Sequence, residues 1–127
     1  IRIWYKLRRM EKRKHSRVPF YGKAKITTGT RSFEVTISNV SLGGLLLHSN
    51  KALELGQEMA IQVRGVYKGK KFEEKVAGKI VAVHRGNVGN SYGLQFGAYL
   101  ESERQPSLFA WVTTSRKKGI SSFLRDS

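Results

Sequence analysis

The chain has 127 residues, enough for one domain with its own core and too few for two. Its 24 Lys and Arg against 9 Asp and Glu give a net charge of +15, a field that draws nucleotides, nucleic acid or acidic headgroups without choosing among them. The absence of cysteine excludes disulfides and thiolate metal sites and suits a reducing cytosol; no apolar run is long enough to span a bilayer, and no secretory signal is visible.

Residues 1–17 carry eight basic residues and one acid, Glu11. Ile3, Trp4, Leu7 and Met10 fall at helical spacing. They predict a short amphipathic helix that loosens near residue 12 and packs on its own domain, on a membrane surface or on a neighbouring domain. Val18-Pro19 stops it, because the residue before a proline is pushed toward extended conformations.

From residue 20 the period is two. Ala24 and Ile26 alternate with Lys23, Lys25 and Thr27, Gly29-Thr30 makes a turn, and Phe33, Val35 and Ile37 alternate with polar residues. That is a half-buried antiparallel hairpin, with strands over 22–28 and 32–38. Leu45 and Leu47 start another strand that ends near Ser49-Asn50, and Met59, Ile61 and Val63 form the next. Residues 65–71 read as a hairpin tip. Residues 72–83 form a long strand with Gly78 as a bulge or bend. A turn cluster over 86–90 leads to a last strand through Tyr92, Leu94 and Phe96. About six short strands at this spacing predict a barrel or sandwich. Glu101, Ser102 and Glu103 then read as a helix start, with Pro106 in the first turn, an apolar stripe of Leu108, Phe109, Trp111 and Val112, and a stop at Lys117-Lys118-Gly119.

Two short segments carry chemistry. Arg13-Lys14-His15-Ser16-Arg17 is an R-x-x-x-R run, overlapped by Arg9 four residues earlier. Arginine's planar fork grips phosphate oxygens or the O6/N7 edge of guanine with two parallel hydrogen bonds, and it stacks on bases. In an extended segment, arginines four apart lie on one side with Cα atoms roughly 13 Å apart. Among the chain's 11 arginines about one such pair arises by chance, so by itself the run reads first as a solvated basic arm. Asn39-Val40-Ser41-Leu42-Gly43-Gly44 is more demanding. Asn39 offers both an amide donor and a carbonyl acceptor to a base edge. Ser41 follows on the same side, and Gly43 and Gly44 carry no side chain where a base or phosphate approaches the backbone. The same residue types also build a plain Asx turn between strands.

In this order, one hairpin apart, the two segments resemble the PilZ domain, a family of small β-barrels that bind cyclic di-GMP. Leu45-Leu46-Leu47 after the second segment and the late Tyr92-Gly93-Leu94-Gln95-Phe96 strand are similar as well. The resemblance covers roughly residues 8–115. It implies a mainly β fold: a six- to seven-stranded antiparallel PilZ-type barrel over 18–100, a basic N-terminal arm over 1–17, and a C-terminal helix and tail over 101–127. It also implies a ligand set. Arg13 and Arg17 would hold phosphate and guanine, Arg9 would add a contact, and Asn39, Ser41, Gly43 and Gly44 would surround one guanine. Lys12 and Lys14 would supply extra charge, enough to admit an intercalated pair of ligands, and Gln95 would reach the ligand from its strand. Asn39 stands where many members carry Asp, which removes one anionic acceptor for guanine.

No Ser/His/Asp set, paired carboxylate or phosphate loop is present, and His15, His48 and His84 have no partners at metal spacing. The expectation is therefore a non-catalytic receptor domain with no cofactor and no metal. Cyclic di-GMP is its ligand, relayed by ordering of the N-terminal arm to a fused or partner protein, membrane-bound or not, that controls exopolysaccharide synthesis, motility or biofilm formation. The chain starts at Ile1 and reads as a cytoplasmic piece of a longer protein, with a membrane protein among the candidates. The alternatives are a basic barrel that binds nucleic acid and a PilZ-like adaptor that binds only protein.

Overall fold

The computed structural model describes residues 17–115. Six strands follow in chain order: β1 Val18–Thr28, β2 Arg31–Val40, β3 Gly44–Ser49, β4 Glu58–Tyr67, β5 Lys70–Arg85 and β6 Asn90–Phe96. All pairings are antiparallel, and the ring order β1-β2-β3-β6-β5-β4 closes through β4 and β1. Closure leaves no unpaired edge.

The alternation seen in the sequence is the inside and outside of this barrel. Ala24, Ile26, Val35, Ile37, Leu47 and Ile61 are buried, while Lys23, Lys25, Glu34 and Thr36 between them face out. Each large apolar side chain fully buried this way contributes about 1.5–3 kcal/mol. Tyr92 is also inside, and its hydroxyl donates to the Lys51 carbonyl (2.8 Å) and accepts from Leu53 N–H (3.1 Å). It thereby ties the loop after β3 to the core.

Two details differ from the sequence reading. The β4–β5 tip is Lys68-Gly69 alone, because both adopt positive φ (50° and 78°) and let Tyr67 pair directly with Lys70. That is the two-residue hairpin turn whose twist matches its strands. Gly78 is not a bulge: its register runs unbroken, and the irregularity falls between Ile80 and Ala82. Gly78 is required because a Cβ there would overlap the Gln95 carbonyl oxygen on β6.

The helix, α1, occupies 106–115 of the described residues. Residues 102–104 form a turn, so Pro106 is the first helical residue, where its missing N–H costs nothing. The acids expected to meet the helix's positive end lie in or before that turn. Glu74 of β5 does so instead. Its buried carboxylate accepts from Ser107 N–H (2.7 Å) and Leu108 N–H (2.8 Å). Leu108 and Val112 complete the core. Trp111 packs edge-on against Phe20 at 5.4 Å and donates its indole N–H to the Pro19 carbonyl (2.9 Å). The helix therefore grips the start of β1. The expected stop at Lys117-Lys118-Gly119 lies outside the described residues.

Candidate ligand-binding site

The segment between β2 and β3 is a rigid turn. Ser41 N–H donates to the Gly44 carbonyl (2.8 Å), the Ser41 hydroxyl lies 3.3 Å from the same oxygen, and Gly43 N–H donates back to Ser41 Oγ at 3.3 Å. Only 7% of Ser41 is exposed. From outside, Phe96 N–H donates to the Gly43 carbonyl and Leu100 N–H to the Leu42 carbonyl, both at 2.9 Å. The strand after the turn is equally constrained, since a Cβ on Gly44 would overlap the Leu94 carbonyl oxygen. Ser41 and Gly44 thus serve the barrel, whatever else they touch.

Asn39 is different. It pairs with Pro19 on one side and Leu46 on the other, beside an irregularity in the β2–β3 ladder between Ile37 and Asn39. Its Oδ1 is buried and has no hydrogen-bond partner. Pro19 has no N–H to offer it. A buried acceptor left this way costs about 1–3 kcal/mol. The described groups of the barrel supply it no donor.

Arg17 is exposed and directly precedes β1, and the pairing of Val18 with Val40 brings it level with Ser41. Gln95, also exposed, is the register partner of Gly44. The fold thus gathers Arg17, Asn39, Ser41, Gly43, Gly44 and Gln95 around one end of the β1–β2–β3–β6 surface. Arg9, Lys12, Arg13 and Lys14 lie outside the described residues. An open hollow of about 780 Å³ borders this region near Thr28, Glu58, Lys79 and Gly97, and Gln95 is the one predicted residue that lines it. None of the other described ones lines it; Arg17 and Asn39 stand on the outer face of the β1–β2–β3 surface.

One polar cluster on that face escapes a reading by motifs. His48 of β3 bridges Ser38 of β2 (Nε2 to Oγ, 2.7 Å) and Ser91 of β6 (Nδ1 to Oγ, 3.1 Å). Its signal is the alternation itself: His48 and Ser91 stand at outward positions beside buried Leu47 and Tyr92. An ion pair lies elsewhere on the outer surface. The Arg64 guanidinium hydrogen-bonds Glu34 and holds its carboxyl below the usual range. Among the described residues no cluster of three metal-ligating side chains occurs, and no helix is long and apolar enough to cross a membrane.

A scan of protein families matches the PilZ domain over residues 11–113. Among curated proteins no sequence match is found. The fold is similar to that of the Bacillus subtilis inhibitor of motility MotI/DgrA (TM-score 0.68, 11% identity, 86% of this chain and 52% of that one), so the chain spans about half that protein's length. It is also similar to the PilZ domain of YcgR from Escherichia coli, solved with c-di-GMP (TM-score 0.61, 12% identity, 87% and 95% covered). A third similar fold is the PilZ domain of CeSA from a cellulose-synthesizing bacterium (TM-score 0.53, 14% identity, 77% and 95% covered). At these identities the likeness speaks for fold alone. With the family match spanning most of its length, the chain belongs to the PilZ domain family.

Proposed function

We propose that this domain is a non-catalytic receptor for cyclic di-GMP. The observation that carries the reading is the unpartnered Asn39 Oδ1, placed beside a rigid turn and close to Arg17. A guanine edge supplies N–H donors for that oxygen, and the two phosphodiester charges suit Arg9, Arg13 and Arg17. The similar YcgR domain was solved with this ligand. Ser41 and Gly43 shape the turn against the base, Gly44 fixes the strand behind it, and Gln95, Lys12 and Lys14 border the ligand.

In this reading, binding orders the arm over the ligand, which then reorients a fused or partner protein near residue 1. The output is exopolysaccharide synthesis, motility or biofilm control, and the domain works in the cytoplasm, free or as a module of a membrane protein. Ordering the arm costs conformational entropy, so affinity falls below what the contacts alone suggest.

Calorimetric titration of wild type and Arg17→Ala with cyclic di-GMP tests this. Wild type binds at micromolar levels or tighter, with one ligand or an intercalated pair, and resists excess GMP and single-stranded DNA. Arg17→Ala loses most of the affinity. No heat and no thermal shift with wild type, or a salt-sensitive preference for DNA, defeats the proposal.

A further inference from the structure

We propose that Ser38, His48 and Ser91 form a phosphate subsite on the same face, occupied with His48 as imidazolium; this rests on the cyclic di-GMP reading above. Three neighbouring strands contribute one side chain each, and the two hydroxyls at 2.7 and 3.1 Å fix the imidazole between them. All three residues are half-buried. Leu46, the register partner of Asn39, precedes His48 by two residues on the same face, a step of roughly 7 Å along a strand. A guanine held by Asn39 has a phosphodiester one ribose away, a separation comparable with this step, and His48 lies on the side of Asn39 opposite to Arg17.

The chemistry selects phosphate over base. Neutral imidazole has one donor and one acceptor, so one of the two hydroxyls must donate back to the ring. Imidazolium donates from both nitrogens. Both hydroxyls then accept from the ring, and both of their protons are released to point outward. A phosphodiester gains two O–H donors with a cation behind them, whereas an uncharged base edge gains little from the cation. The row between Asn39 and the rest of the sheet (Leu46, Gly93 and Ala82 in register) is apolar and offers no competing charge.

Groups on four other strands lie near His48. β2 faces it with Thr36 and Ser38, which carry no charge. On β1, Lys23 pairs with Thr36 and adds positive charge to one side. β6 contributes Ser91, whose partner on β5 is His84, followed by Arg85, whose guanidinium reaches the Leu53 carbonyl at 3.4 Å. Among the described residues no carboxylate hydrogen-bonds the ring.

The test is calorimetric titration of the 127-residue chain with cyclic di-GMP at pH 6 and pH 8, each in two buffers of different ionisation enthalpy. Wild type, His48→Gln, His84→Gln and Ser91→Ala are compared, with thermal melts to establish that each variant folds. A proton held more tightly in the complex than in the free chain adds affinity at low pH, and that gain fades as pH rises. Wild type therefore takes up protons on binding and binds about tenfold more weakly at pH 8 than at pH 6. His48→Gln keeps a hydrogen-bonding side chain between the two serines, loses the pH dependence, and binds at both pH values as wild type does at pH 8. His84→Gln retains the dependence. Ser91→Ala, which removes one of the two released donors, cuts the gain at pH 6. Binding without proton uptake, or uptake that survives His48→Gln, overturns the subsite and leaves the receptor reading standing. Absence of binding at both pH values removes the receptor reading and the subsite together.

Discussion

Glu74→Gln should destabilise the domain by about 2–3 kcal/mol, although the residue lies away from the ligand face and the change is nearly isosteric. An α-helix leaves its first four N–H groups without intrahelical acceptors. In α1, Pro106 has none to satisfy, Ser107 and Leu108 N–H both go to the Glu74 carboxylate, and Phe109 N–H reaches the Gln105 carbonyl at 2.9 Å. Glutamine keeps one acceptor oxygen and turns an NH₂ toward the other donor. One charge-assisted bond is lost, worth about 1.5–3 kcal/mol, together with up to about 1 kcal/mol of interaction with the helix dipole. The lower desolvation cost of a neutral side chain offsets part of this. Urea denaturation followed by tryptophan fluorescence measures the difference, since Trp111 rides on the same helix, and the melting temperature should fall by about 10 °C. A loss below about 0.5 kcal/mol would falsify the capping argument and make Glu74 a tolerated buried charge rather than the anchor of α1.

Four further outcomes are accessible. Asn39→Asp should bind cyclic di-GMP about tenfold more tightly by isothermal titration, while the empty protein melts earlier, because a buried carboxylate without donors costs more than an amide; tighter binding without that loss would contradict the unpartnered state of Oδ1. Gly44→Ala should cost about 2 kcal/mol or more in urea denaturation with no ligand present, from collision with the Leu94 carbonyl; an unchanged midpoint would return this glycine to the ligand. Trp111→Phe, which keeps the ring contact with Phe20 and loses the bond to the Pro19 carbonyl, should cost about 1 kcal/mol and weaken ligand binding a few-fold; a stability loss with unchanged affinity would uncouple the helix from the site. Glu34→Gln should lower the melting temperature slightly at pH 7, and by progressively less as pH falls below the usual carboxylate range: a carboxyl held below that range stabilises above it, and the effect is lost as pH falls through its folded value; a difference independent of pH would refute the pairing with Arg64.

The barrel was legible because its signal is repeated. Most segments state the period of two, and burial of Ile26, Ile37 and Ile61 follows from their parity alone, whereas the run Leu45-Leu46-Leu47 does not alternate. What depended on one atom pair was not legible. Gly78 reads as a bulge in a window of its own strand, and only the β6 backbone across the ladder shows why Cβ is absent. Glu74 sits at an inward position between Phe72 and Val76, so parity marks it as a buried acid in need of donors, but those donors lie more than 30 residues away on α1. His48 looked isolated for the same reason. Its partners are 10 and 43 residues distant, and pairing register, which a single sequence does not state, brings them together.

The structure divides the labour within Asn39-x-Ser41-x-x-Gly44. Ser41's hydroxyl is engaged by Gly43 N–H and the Gly44 carbonyl, and Gly44 is demanded by Leu94. Those two letters would be needed for the β2–β3 turn and the β3–β6 pairing even in a domain that binds nothing. Asn39 alone carries a buried polar atom the barrel leaves unsatisfied. The motif's presence is therefore two-thirds a statement about folding, and its evidence for a ligand is concentrated in one oxygen. Asn39→Ala should accordingly remove a liability from the empty protein and still abolish tight binding, whereas Ser41→Ala should weaken the turn first and the ligand second. In the proposed reading Arg17 joins Asn39 on the binding side of that division, since it is exposed and lies just before the strand that α1 holds in place through Pro19. On that reading, a fixed barrel supplies one unsatisfied buried acceptor, and Arg17 just before β1 supplies charge beside it.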